Sequence, residues 1–409
     1  MNAYIQPRYD FAVDNEEEDK FMDAPIVLTN DEDDSRPYSL CDRRFSKVAI
    51  MDRGKRPGRS LSARNNKIYL DFKDIIREHA LPFLPAKSLY KFRAVCRDWR
   101  LQISTPFFAH NQSLSCHSTS GIFLQTPGGS PSLVPIDANS CGVPDPFLRF
   151  LPEPVDIKSS SNGLLCCQGR EGDKAYYICN PVTQQWKKLP KSNANHGPDP
   201  AIVLLFEPSL LNFVAGYKII CAFQSTDFGE ATEFDIYSSR EDSWEISGEI
   251  CFGARRVVPK SGVHVNGVVY WITTGSMLAF DLTKERSQLL QGYHTRGILG
   301  AFGGKLCKVN VTGSSIKLNV LVNAHTNTMQ MGSRRRMWSK KQAVVLDSKI
   351  VGGLARDYSV LHVDSEIMVV QGGERTYSYD FKSRATKVLS SRANIHSPCF
   401  PYVNSLVAL

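Results

Sequence analysis

The sequence predicts a multidomain α+β chain: a small all-α module of three to four short helices, then an all-β propeller of about six blades. Three observations predict it. Between residues 68 and 112, apolar side chains recur at helical spacing in short bursts separated by prolines. From Ser118 onward that spacing gives way to short runs of Val, Ile, Tyr, Phe and Trp between Gly, Asn, Pro and Ser turns. The turn signals then recur about every 48 residues, the spacing of a four-stranded blade.

At 409 residues, 42% of them hydrophobic, the chain is long enough for two folded units with a sizeable core in at least one. Its net charge of +8 is unevenly laid out. Asp10 to Asp34 holds eleven acids and one lysine, whereas Arg43 to Lys67 holds nine basic residues against Asp52. Such blocks bury too little apolar area to offset ordering entropy, so residues 1–67 are expected to form a disordered tail, acidic then basic. The basic run Arg53 to Arg59 suits a nuclear address or a nucleic-acid arm, but a solvated tail whose halves attract each other is the favoured reading.

The acid-rich start lacks the pattern of a secretory signal, which points to an intracellular protein, nuclear or cytoplasmic. The eleven cysteines include no CxxC pair and no Cys/His cluster at metal-ligand spacing, so they read as reduced, mostly buried thiols. The sequons at Asn111 and Asn310 then read as chance matches. The most membrane-like window, Ala201 to Phe223, contains Glu207, Pro208 and Lys218 and reads as two buried strands joined by a turn. No membrane partner is expected.

Helical order is expected to begin near Ile68, with Asp71 or Asp74 as a cap. Phe72, Ile75, Ile76, His79 and Ala80 share one helical face, and Pro82 and Pro85 end it. Pro85 suits the first turn of a second helix carrying Leu89 and Phe92. A third apolar set, Val95, Trp99 and Ile103, repeats at intervals of four, and Thr105-Pro106 marks the start of a last helix with Phe107 and Phe108. The excess of large apolar groups has to face either the C-terminal domain or a groove on a separate protein.

The run Leu84-Pro85-Ala86-Lys87-Ser88-Leu89-Tyr90-Lys91-Phe92-Arg93-Ala94-Val95-Cys96-Arg97-Asp98-Trp99 resembles the F-box. That resemblance implies docking on a Skp-type adaptor and, through it, on a cullin. Carried over by position, the adaptor-binding residues are Ile75, Ile76, Leu84, Pro85, Leu89, Phe92, Val95, Cys96 and Trp99, some of which, Trp99 foremost, are expected to serve the module's own core. Two departures imply weaker docking. The family's leading Leu-Pro is replaced by Tyr69-Leu70-Asp71-Phe72, and the stretch from Asp74 to Leu84 is about one residue longer, with Pro82 where the helix would still run.

In the β region, turn glycines enter apolar strands at Asn162-Gly163, Gly216, Asn266-Gly267, Gly303-Gly304 and Gly352-Gly353. Hairpins with polar turns of about six residues are expected in Tyr176 to Pro190, Phe234 to Trp244, Ala279 to Leu290 and Tyr379 to Leu389, with their aromatic residues between blades. The strings Asn180-Pro181-Val182-Thr183 to Trp186 and Ser161-Asn162-Gly163-Leu164-Leu165-Cys166 resemble the F-box-associated and kelch-type domains of plant F-box proteins. The kelch pattern itself is clear only from Gly372-Gly373 to Tyr377. The expected domains are therefore a tail at 1–67, an F-box at 68–112 and a propeller at 118–409.

No HExxH, GxSxG or Rossmann fingerprint occurs, and Gly300 to Lys305 lacks the Ser or Thr of a phosphate loop. No catalytic residue, cofactor site or metal site is assigned. Arg334-Arg335-Arg336 with Trp338, Lys340 and Lys341 reads as a solvated loop before it reads as a nucleic-acid surface. The expected function is the substrate-recognition subunit of a Skp-cullin-F-box type ubiquitin ligase, holding an unknown target protein on a propeller rim. The alternative is a non-catalytic kelch-type binding or scaffold protein without ligase function, with or without association with nucleic acid.

Overall fold

The structure, a computed structural model, describes residues 72–115, 118–126, 128–136, 142–208, 215–254, 256–290, 297–312, 315–321, 338–346, 358–390 and 398–409. The charged tail 1–67, the cap Asp71, the arginines 334–336 and Gly352-Gly353 lie outside the described residues.

Among the described residues, four helices come first. Helix α1, Phe72–His79, stops where Pro82 removes an N–H, and Leu81–Phe83 continues as a single 3-10 turn. Pro85 stands at the N-cap of α2, Ala86–Phe92. Helix α3, Arg97–Ile103, is capped by Cys96, whose Sγ accepts a hydrogen bond from the Trp99 N–H at 3.4 Å. The Cys-x-x-Trp spacing thus works as a cap. Thr105 starts α4, Pro106–Ser115, its Oγ1 accepting from the Phe108 N–H at 3.2 Å. Val95 lies in the turn before α3 rather than on it.

Six antiparallel sheets follow, one per blade. Four-stranded blades begin at Val155, Ala201, Val263, Ile298 and Tyr358. The sixth is composite: Gly121–Leu124 pairs with Ser132–Pro135 on one side and with the C-terminal strand Cys399–Tyr402 on the other. The first strands of the five complete blades and Cys399–Tyr402 are neighbours in a closed ring, which makes Cys399–Tyr402 the innermost strand of the closing blade. Phe123 and Tyr402 meet edge to face across this closure, with centroids 5.3 Å apart.

The middle strands are buried on both sides, as in Leu164–Gly169, Tyr176–Asn180 and Ile367–Gly372. A strand covered on both faces needs apolar groups on both, hence the unbroken runs Leu164-Leu165-Cys166-Cys167 and Ile367-Met368-Val369-Val370 in place of alternation. Each blade interface encloses its own apolar cluster. Aromatic rings from the hairpins fill these seams: Tyr176 meets Trp244 at 5.5 Å between the first two complete blades, and Phe234 stacks on Phe280 at 4.3 Å between the next two.

Asn162-Gly163, Asn266-Gly267 and Gly303-Gly304 form two-residue turns with positive φ at both positions, the type I′ geometry that matches strand twist. Gly216 does not turn. It sits inside the strand Ala215–Gln224, where a Cβ would lie 2.1 Å from the Glu207 carbonyl oxygen, so it is required by close backbone approach. The hairpin turns are four or five residues long, shorter than the six expected. Side chains close them: the Asn180, Asp281 and Asp380 carboxamide or carboxylate oxygens accept from Val182, Thr283 and Ser383 N–H groups. Gln184, Asp242, Glu285 and Arg384 then adopt positive φ just before the next strand.

Candidate functional site

The helical module is locked onto the propeller. Leu81, Ala86, Leu89, Ile103 and Phe108 are buried in one cluster with Phe123, Val143, Leu148, Val182, Phe400, Tyr402 and Leu406 of the β domain. Polar bonds hold the same seam. The Gln112 side chain donates to the Asn404 carbonyl at 3.3 Å and accepts from the Leu406 N–H at 3.0 Å, and the Tyr90 hydroxyl donates to the Val182 carbonyl at 3.2 Å. Burial pushes the Tyr90 phenol above its ordinary value, against the opposing charge of Arg93.

Up-and-down strand order puts chain reversals after the first and third strands of each blade on one face, and those after the second and fourth on the other. Val182 follows a third strand and Asn404 a first strand, so the helices occupy the first face. The second face carries an exposed aromatic pair, Phe228 and Phe252, with rings 5.4 Å apart. Val258, in the same blade-to-blade connection as the end of that strand, is exposed beside them in sequence.

The nine expected adaptor-binding residues divide by exposure. Ile75, Pro85, Val95 and Cys96 are exposed. Ile76, Leu84, Phe92 and Trp99 are half-buried against the shared cluster, with the Phe92 and Trp99 rings edge to face at 5.5 Å. Leu89 is 0% exposed. It is therefore a core residue here, because the propeller supplies the wall that a module of this size lacks. Further exposed apolar side chains of the helices were not in the expected adaptor-binding set, among them Phe83, Leu101 and Phe107, at 62%, 59% and 55%. Their signal is phase, since Leu101 lies between Trp99 and Ile103 and Phe107 beside the buried Phe108, each off the inward stripe.

One cluster has the residue types of a hydrolase. Ser192, His196 and Asp235 lie together between the first two complete blades. Its wiring differs from that of a nucleophile. Asp235 Oδ2 takes both the Ser192 hydroxyl at 2.5 Å and His196 Nε2 at 2.8 Å, while His196 Nδ1 faces the Tyr176 hydroxyl at 3.0 Å. The Ser192 hydroxyl is bonded to the Asp235 carboxylate and not to His196, and Asp235 is fully buried. The cluster pins the connection 189–200 to the neighbouring blade. Trp244 reinforces it by donating from Nε1 to the Pro190 carbonyl at 2.9 Å. Among the described residues no group of three or more His, Cys, Asp or Glu side chains is placed to hold a metal, and no helix is long and apolar enough to cross a membrane.

The sequence profile of the F-box associated beta propeller domain matches residues 147–409. This chain belongs to that family. Its curated relatives include the F-box protein At5g49610 of Arabidopsis thaliana, 29% identical over 230 residues that make up 52% of this chain and 62% of the relative. The F-box protein At5g07610 of the same plant is 29% identical over 288 residues, 62% of this chain and 63% of its own length. The F-box/kelch-repeat protein At5g43190 is 29% identical over 214 residues, 50% and 49% of the two chains. The chain thus spans less than two thirds of the length of these relatives. Within this F-box-associated propeller, the matched span starts after the strands Gly121–Leu124 and Ser132–Pro135 and includes the C-terminal strand that closes the ring.

Proposed function

We propose that this chain is the substrate-recognition subunit of a Skp-cullin-F-box type ubiquitin ligase, with no bond chemistry of its own. One observation carries the reading. The helical module keeps Ile75, Phe83, Val95, Leu101 and Phe107 exposed although a large propeller surface was available to cover them. Exposed apolar groups on so small a unit mark a protein interface. The adaptor-binding set is then Ile75, Ile76, Leu84, Pro85, Phe92, Val95, Cys96 and Trp99, joined by Phe83, Leu101 and Phe107. A target protein is held on the opposite face, where Phe228 and Phe252 stand exposed, and its lysines gain effective concentration near the charged ubiquitin carrier.

The test is co-purification with a Skp-type adaptor and a cullin. The full chain should recover both, and Ile75→Ala with Val95→Ala should abolish recovery while leaving the melting temperature unchanged. Undiminished recovery by that variant would sink the assignment of the face. No recovery by the parent chain would favour a binding protein outside the ligase.

A further inference from the structure

A cavity of about 520 Å³ opens on the face that carries Phe228 and Phe252. It lies between the reversal 170–175, after the second strand of the first complete blade, and the connection 189–200 that leads to the next blade. Such a volume suits a few residues of a peptide. Two of its lining residues, Tyr176 and His196, are buried and held in place. The Tyr176 hydroxyl is 3.0 Å from His196 Nδ1, and His196 Nε2 is 2.8 Å from the fully buried Asp235. Burial raises the Tyr176 phenol above its ordinary value, so it stays protonated and adds no negative charge.

One polar side chain in this cavity is unsatisfied. On the strand Leu164–Gly169, alternation puts Gln168 on the same side as Leu164 and Cys166, which belong to the apolar cluster between this blade and the next. Gln168 is 7% exposed and lines the cavity, and among the described residues its carboxamide has no hydrogen-bond partner. Leaving a buried amide unbonded is costly, so a bound ligand would relieve it. Around it stand three exposed cations, Lys174, Lys188 and Lys191, against the single acid Asp173. None of the three lysines forms an ion pair among the described residues.

We propose that this cavity takes the C-terminal residue of a target chain, its carboxylate toward the lysines and its last peptide N–H toward Gln168. The inference rests on the reading of this face as the target-holding one, and names the part of the target that is read. A carboxamide offers both donors and an acceptor, so a bare anion would leave its oxygen unbonded. An acidic side chain likewise brings acceptors alone. The last residue of a chain brings an N–H donor and a carboxylate on one Cα, and lysine ammonium groups complete the carboxylate with charge-assisted bonds. Leu189 and Pro190, which also line the cavity, give its side chain an apolar surface.

The experiment is fluorescence anisotropy of an N-terminally labelled Ser-Gly-Ser-Gly-Ala-Leu peptide with the full chain, free of adaptor. Loss of the peptide signal while adaptor and cullin are still recovered would strike the cavity alone. Binding should weaken as salt approaches about 0.15 M. Amidating the peptide's C-terminus should lower affinity by about tenfold or more, and Gln168→Leu by about fivefold. Lys188→Ala combined with Lys191→Ala, which removes only exposed side chains, should lower it by about fivefold with an unchanged melting temperature. Arg100→Ala, an exposed cation of α3 outside the cavity, should change nothing. Equal binding of the amidated peptide, undiminished binding by the double lysine variant, or no binding by the parent chain would overturn the proposal. Tighter binding of an amidated peptide ending in Glu would also overturn it, since the site would then read an acidic side chain.

Discussion

The propeller and the helical module handle their apolar side chains differently. Each blade interface has its own cluster, and the helices have none of their own: their inward residues join the cluster between the closing blade and the first complete blade. Large groups such as Trp271, Tyr237 and Phe280 are enclosed in the propeller, whereas Phe83, Val95 and Phe107 of the module remain in solvent. The blades also leave a few apolar groups in solvent, Phe228 and Phe252 among them, but the module exposes Ile75, Phe83, Val95, Leu101 and Phe107 within about forty residues. That concentration is what the proposed adaptor docking would use.

Substitutions can break that contrast, beginning with the largest effect. Trp271→Ala, at a fully buried position between blades, should cost about 3–5 kcal/mol in urea unfolding. Leu89→Ala should cost about 2–5 kcal/mol, since its cavity opens into a cluster shared with the propeller. A cost below about 1 kcal/mol there would mean that the module does not depend on the propeller wall.

Asp364 sharpens the comparison at the ring closure. Its Oδ2 accepts from Thr119 Oγ1 at 2.7 Å and contacts His362 Nε2 at 3.1 Å, and its Oδ1 accepts the Glu366 and Ile367 N–H groups at 2.8 Å each. Burial, the largest single influence, raises its pKa, but the His362 charge and these bonds together bring it from the ordinary 3.8 down to about 2. A depressed carboxylate contributes stability above the unfolded value and loses it as pH falls through the folded one. Asp364→Asn should therefore cost about 1–3 kcal/mol at neutral pH and flatten the loss of stability between pH 4 and pH 2, read by urea midpoints across that range.

Smaller effects follow. Gly304→Ala places a Cβ at φ 68° and should cost about 1–2 kcal/mol in the same assay. Phe107→Ser should change stability by less than about 0.5 kcal/mol while reducing adaptor recovery, the opposite pairing to Leu89→Ala. A large stability loss at Phe107 would erase the division between inner and outer faces.

The helix-ending prolines, the Asn-Gly and Gly-Gly turns and the presence of the blade hairpins were legible because each depends on neighbours in sequence, whereas the start of the third helix was placed too early, at Val95. Pro82 stops a helix wherever it stands, Asn266-Gly267 supplies two positive φ angles, and Asp281 closes its own turn. Gly216 was misread because a glycine required by a facing carbonyl looks the same in sequence as one required by a turn. Leu89 belonged to the motif as strongly as Val95, and no local pattern distinguished the buried from the exposed one.

By itself, then, the sequence determined the two architectures, their order along the chain and the location of the helical motif. The even step near 48 residues is not kept, since the complete blades start at Val155, Ala201, Val263, Ile298 and Tyr358. Only the tertiary structure decided that the C-terminal strand Cys399–Tyr402 closes the ring inside Gly121–Leu124. It also decided that the helices dock on the face of Val182 and Asn404, that Leu89 turns inward, and that Gln168, Tyr176 and His196 line one cavity. The physical reason is range: caps and turns are settled over a few residues, whereas these contacts join positions as far apart as Gln112 and Leu406, where only packing of the folded chain selects the partner.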